Sequence, residues 1–126
     1  MLLYIIYFIL SPALWIIVMI TAVFHSKIRA NLFHFKSILQ SVYSQRKHTD
    51  KKVLLFHAAS SGEFEQLKPI LKNINRKKYF IIQSFTSNTI YNQENATSLV
   101  DATCYQPFDF IWLSKYYFKL IKPDKY

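Results

Sequence analysis

Glycine is nearly absent from this chain: Gly62 is the only one among 126 residues. A sequence that avoids glycine yet keeps one between Ser61 and Glu63 is expected to need, there, a backbone conformation or a close approach that a Cβ would obstruct. Cysteine is equally scarce, and a lone Cys104 excludes an intramolecular disulfide framework; it reads as a small buried residue on a strand. The four histidines, His25, His34, His48 and His57, stand at no metal-ligand spacing from one another, which argues against a structural zinc site. Acidic residues are few, 7 against 16 Lys and Arg, for a formal net charge of +9. That imbalance directs the chain toward anionic partners, and charge alone does not choose between nucleic acid and an anionic membrane surface.

Charge is missing altogether from Met1 to Phe24. As a helix this segment would extend about 36 Å against a hydrocarbon core of about 30 Å, enough to cross with some tilt. Pro12 interrupts the run without forbidding it, because neighbouring groups can re-satisfy the backbone it frees. A cleaved signal peptide fits less well than an uncleaved anchor: there is no positive n-region, the apolar run is too long, and no clear small-x-small site follows. The positive residues come afterwards, at Lys27, Arg29, Lys36, Arg46 and Lys47, and hold the C-terminal side in the cytoplasm.

From Ile28 the apolar residues Leu32, Phe35, Leu39 and Val42 recur at steps of four and three, one stripe of an amphipathic helix with basic residues beside it. Such a helix either packs on the domain or its own anchor, or lies on anionic lipid. Ser44–Lys52 is polar and reads as a linker. The pattern then alternates: a strand over Val53–Ala58, a helix over Glu63–Asn75, a strand over Tyr79–Ser84, a weaker helix over Asn88–Ser98, a short strand within Leu99–Tyr105, and an aromatic-rich helix over Asp109–Ile121 with Asp109 as N-cap. The expected fold class is α/β: a membrane-anchoring helix (1–24), a basic amphipathic helix and linker (25–51), and an incomplete Rossmann-like parallel sheet with flanking helices (52–126). Right-handed crossovers bring the loops after each strand to one edge, where ligands bind in open α/β sheets.

The informative stretch is His57-Ala58-Ala59-Ser60-Ser61-Gly62-Glu63-Phe64-Glu65-Gln66, at a strand-to-helix turn. Free N–H groups and the helix dipole favour anions there. A carboxylate at Glu63 could take the proton of an attacking hydroxyl as its oxygen acidifies during bond formation. The same residues also suit a purely structural role, with Ser60 or Ser61 as N-cap and Glu63 closing a capping box. Glu65 points away around the helix and reads as a solvated charge.

This turn is similar to the His-Ala-x-Ser-x-Gly-Glu turn of the bacterial 3-deoxy-D-manno-octulosonic acid (Kdo) transferase family, which opens with an apolar anchor. The resemblance continues through Gln83-Ser84-Phe85-Thr86-Ser87, Gln106-Pro107-Phe108-Asp109 and Lys122-Pro123-Asp124, where that family begins its next strand; Asn88 stands where a Pro is usual. The resemblance implies a GT-B glycosyltransferase of lipopolysaccharide synthesis, at the inner membrane with its soluble part in the cytoplasm. It would be inverting, metal-independent and without cofactor, moving Kdo from CMP-Kdo to a lipid A precursor. It further implies that Glu63 is the general base, that Ser60, Ser61 and Gly62 shape the acceptor side, and that CMP-Kdo binds a C-terminal domain. Since no such domain follows Tyr126, the chain is expected to be a truncated form, inactive alone. The alternative is a small basic membrane-anchored protein that binds lipid or a partner without catalysis. Nucleic-acid binding through Phe108, Phe110, Trp112, Tyr116, Tyr117 and Phe118 is set aside, because those aromatics read as packing residues of one helix.

Overall fold

The computed structural model describes residues 2–95 and 97–126. Met1 and Ala96 lie outside the described residues, and with them the first residue of the expected anchor and one position of the helix expected over Asn88–Ser98. In chain order the elements are α1 (Leu2–Phe24), α2 (Ser26–Arg46), β1 (Lys52–Ala58), α3 (Ser61–Asn73), β2 (Tyr79–Phe85), α4 (Asn88–Glu94), β3 (Ala102–Tyr105) and α5 (Ile111–Ile121). The expected α/β architecture is the one adopted: an apolar N-terminal helix, then a parallel sheet of order β1-β2-β3 flanked by helices.

Helix α1 is long and apolar enough to cross a membrane, by length and composition. Pro12 removes the N–H that would bond the Phe8 carbonyl, and the Ser11 hydroxyl donates to that carbonyl instead at 2.9 Å. One stripe of α1 faces the rest of the chain: Ser11 and Ala22 are buried, Tyr7 donates to the Asp109 carbonyl, and Trp15 meets Phe110 edge-on at 5.0 Å. The remaining faces expose aliphatic side chains such as Leu3, Ile9, Ile16 and Val23. His25, in extended conformation, breaks the chain between α1 and α2.

Of the two readings of α2, packing on the domain is the one found. Its Phe35, Leu39 and Val42 are buried against β3 and α5, and Phe35 stacks on Tyr117 with ring centroids 6.4 Å apart. The helix continues through Ser44–Arg46, so the polar connection is shorter than its composition suggests.

The sheet separates two apolar clusters. On one face α2 and α5 cover Val53, Leu55, Phe80, Ile82 and Cys104; on the other α3 and α4 cover Ala58, Ile81 and Phe85. Leu39, Ile81, Ile82 and Ile121 are 0 % exposed, each contributing about 1.5–3 kcal/mol through burial. Strand alternation sends Ile81 to one cluster and its neighbours Phe80 and Ile82 to the other.

Several helix boundaries differ from the sequence expectation. Helix α3 starts at Ser61, and α4 ends at Glu94, where the polar run Asn95–Ser98 favours turns over helix. Helix α5 starts at Ile111 with Phe110 at its N-cap and no side-chain cap, so Asp109 is not the capping residue. Beyond α5, Lys125 bridges Leu54 in parallel, with Leu55 N–H donating to the Lys125 carbonyl at 3.0 Å and Asp124 N–H to the Val53 carbonyl at 2.8 Å. These residues therefore lie along the edge of β1 opposite β2. The chain thus runs from β1 to β2 and β3 on one side and then returns through α5 to the other side of β1, which makes the carboxyl end of β1 a topological switch point, the usual ligand position in such sheets.

Candidate functional site

The turn after β1 stands at that switch point. Ser60 is extended (φ −134°, ψ 160°) and its Oγ accepts from the Glu63 N–H at 3.3 Å; Glu63 Oε2 in return accepts from the Ala59 N–H at 2.7 Å. The pair works as a capping box shifted by one residue, since the carboxylate takes the N–H before the N-cap instead of the N-cap's own. Ser60 is the N-cap and Ser61 the first helical residue, which settles that alternative. Phe64, 1 % exposed, anchors the turn by meeting Phe85 edge-on at 5.1 Å. The backbone of Glu63 is thereby fixed while its side chain stays exposed, and among the described residues Oε1 has no hydrogen-bond partner.

Gly62 corrects an expectation. It lies in the first turn of α3 without a positive φ, and a Cβ built there would meet nothing within 4 Å. Neither backbone conformation nor internal crowding explains the glycine. What remains is open space above the helix N-terminus, beside Ser61 and Glu63. Glu65 is exposed as expected but not free: it receives Lys68 at 2.6 Å, and Lys68 also reaches Glu94 at 3.2 Å, tying α3 to α4.

Behind the turn the strand ends are joined by polar side chains to which sequence reasoning gave no role. His57 Nδ1 lies 3.0 Å from Ser84 Oγ, and Ser84 Oγ lies 3.1 Å from Gln106 Oε1 and 3.2 Å from the Phe56 carbonyl. Both of the latter are acceptors, so the Ser84 proton goes to one of them and Ser84 accepts from His57 Nδ1–H. That tautomer leaves Nε2 bare, facing the Thr86 hydroxyl at 3.4 Å. Burial pushes the imidazole below the usual histidine range, opposed by the nearby Glu63 carboxylate and a hydrogen bond to Ser84. The signal was present in the pairing register: His57 sits opposite Ser84, each a polar residue near the carboxyl end of its strand. Segments around residues 57, 84 and 106, far apart in sequence, thus meet at one sheet edge.

What this edge can do is bounded by its groups. It offers one carboxylate with a free oxygen, open space over a helix N-terminus, and a neutral imidazole within the carboxylate's field. A family model described as 3-Deoxy-D-manno-octulosonic-acid transferase (kdotransferase) matches residues 31–126, from the first turns of α2 onward. The chain belongs to that family. No curated protein and no solved structure matches it. Kdo transferases are glycosyltransferases, the enzyme class that the resemblance implied, and α1 lies outside the matched span.

Proposed function

We propose that this chain provides the acceptor side of a Kdo transferase, in which Glu63 is the general base for transfer of Kdo from CMP-Kdo to a lipid A precursor. The observation that carries this is the Glu63 carboxylate at the switch point, with Oε2 held by Ala59 N–H and Oε1 without a partner among the described residues. A carboxylate oriented through one oxygen can take an acceptor hydroxyl proton on the other. The alkoxide-like oxygen then forms its bond to the anomeric carbon as the bond from that carbon to the CMP phosphate breaks, CMP leaving with the electron pair. Ser60, Ser61 and Gly62 border the space the acceptor sugar would enter, and the absent Cβ at Gly62 keeps that space open.

Membrane anchorage through α1, at the inner membrane with the α/β part in the cytoplasm, fits a lipid substrate and the basic residues that follow α1. A capping-only role for Glu63 is favoured by the same two bonds, and Glu63→Gln separates the two. Glutamine keeps the acceptor oxygen of a capping box but not the proton-accepting carboxylate. Because the family resemblance assigns the donor to a second domain, transfer is assayed in membranes that also contain another family member's donor domain. Glu63→Gln is expected to lose roughly 10²–10⁴-fold in rate. Absence of transfer with the unaltered chain, or transfer by Glu63→Gln at its rate, contradicts the proposal.

A further inference from the structure

Between α1, α2 and the first turns of α5 lies an open apolar groove of about 680 Å³, within the ~300–1,000 Å³ of small-molecule sites. Trp15 and Met19 of α1, Phe33 of α2 and Trp112 and Leu113 of α5 line it. Its polar groups are few. Arg29 and Lys36 border it, with Arg29 held in place by donating to the Val23 carbonyl at 3.1 Å. Asn31, only 6 % exposed, also lines it, and its Oδ1 has no hydrogen-bond partner among the described residues. A buried acceptor left unpaired is unfavourable and calls for a donor from outside the fold.

The groove lies across the sheet from α3 but toward the same carboxyl end of the strands as Glu63. Helix α5 follows the carboxyl end of β3, and the start of α2 is tied to the carboxyl end of β2 by Asn88, whose amide donates to the Lys27 carbonyl. It is also continuous with the exposed apolar faces of α1. An occupant must therefore be apolar along its length, anionic near its head, and must carry an N–H or O–H close to where chain and head join. The acyl chain of an ordinary diacyl phospholipid has no such donor at its ester, whereas an amide-linked or hydroxylated acyl chain has one.

We propose that this groove is an acyl-chain subsite for the lipid acceptor. One amide-linked or hydroxylated chain lies between Trp15 and Trp112, its N–H or O–H donates to Asn31 Oδ1, and Arg29 and Lys36 receive a phosphate. This rests on the acceptor-side reading above and adds how the lipid portion is selected.

The test uses the full chain in phosphatidylcholine nanodiscs with two photoreactive probes carrying a diazirine at mid-chain: a phosphorylated glucosamine lipid with amide-linked hydroxyacyl chains, and phosphatidylglycerol. The glucosamine probe is expected to label Phe33, Trp112 or Leu113 at least tenfold more than phosphatidylglycerol does. Asn31→Leu, which removes an unpaired buried polar group and leaves the fold at least as stable, is expected to bring that ratio near one. Equal labelling by the two probes, labelling confined to the exposed faces of α1, or an unchanged ratio in Asn31→Leu overturns the proposal. Glu63→Gln is expected to leave labelling unaltered. Loss of transfer in Glu63→Gln without groove labelling therefore defeats the groove alone, and groove labelling with undiminished transfer in Glu63→Gln defeats the base assignment alone.

Discussion

Replacing Ser84 with alanine removes the hydroxyl that joins all three strand ends. Ser84 is 0 % exposed, and its Oγ serves His57 Nδ1 at 3.0 Å on one side and Gln106 Oε1 at 3.1 Å or the Phe56 carbonyl at 3.2 Å on the other. One proton and one lone pair make two bonds at a time, each with a net value of about 1 kcal/mol. His57 and Gln106 are only half-buried and can turn to water, so no full desolvation penalty is added. The expected loss is therefore about 2 kcal/mol, or a fall in Tm of roughly 8–16 °C for a folded part of about 100 residues. Thermal unfolding of the whole chain in detergent, followed by near-ultraviolet circular dichroism, measures it. Thr86→Val serves as comparison, since its contact to His57 Nε2 is exposed and 3.4 Å long, and should change stability by less than about 0.5 kcal/mol. A Ser84→Ala loss no larger than that of Thr86→Val would refute the bridging role.

Three further outcomes follow from the structure. Lys122 ends α5 in the left-handed region (φ 43°), where an L side chain is disfavoured by about 1–2 kcal/mol, so Lys122→Gly should raise stability by up to about 1 kcal/mol in denaturant titration. Cys104 is buried with its thiol pushed up to about 12, and should resist alkylation at pH 8 until the chain unfolds, as followed by mass spectrometry. The folded state holds His57 below its ordinary value, so the unfolded chain binds the proton first as pH falls. Its contribution is complete above the ordinary histidine range and is lost as pH drops through the lowered folded value; His57→Gln should flatten stability against pH just below about 6.5.

The fold was legible where periodicity is strong. Strands β1 and β2 lie within a residue of their expected bounds, because short apolar runs flanked by polar turns leave few alternatives. The stripe Phe35, Leu39, Val42 foretold the buried face of α2 but not its partner: an amphipathic pattern says that a face is covered, and lipid or protein would satisfy it equally. Glycine misled in an instructive way. Gly62 occupies ordinary helical backbone, and the one non-glycine residue with positive φ among the described residues is Lys122, a strain that composition cannot reveal. Asp109 resembled an N-cap, yet its backbone carbonyl accepts from Tyr7 and α5 starts two residues later. The His57–Ser84–Gln106 link was hidden because its members are separated by whole helices, and only the parallel register brings them level.

The turn itself was read as both a cap and a site, and the structure realises the cap while leaving one carboxylate oxygen without a partner among the described residues. Transfer rate and helix stability in Glu63→Gln, measured together, test the account most directly. Stability should change by less than about 1 kcal/mol, because glutamine can still accept from Ala59 N–H and only the carboxylate's interaction with the helix dipole is lost. Transfer of Kdo to the lipid acceptor, with a donor domain present, should fall at least about 100-fold. A variant that transfers at the unaltered rate, whatever its stability, would show that Glu63 caps α3 and does nothing more.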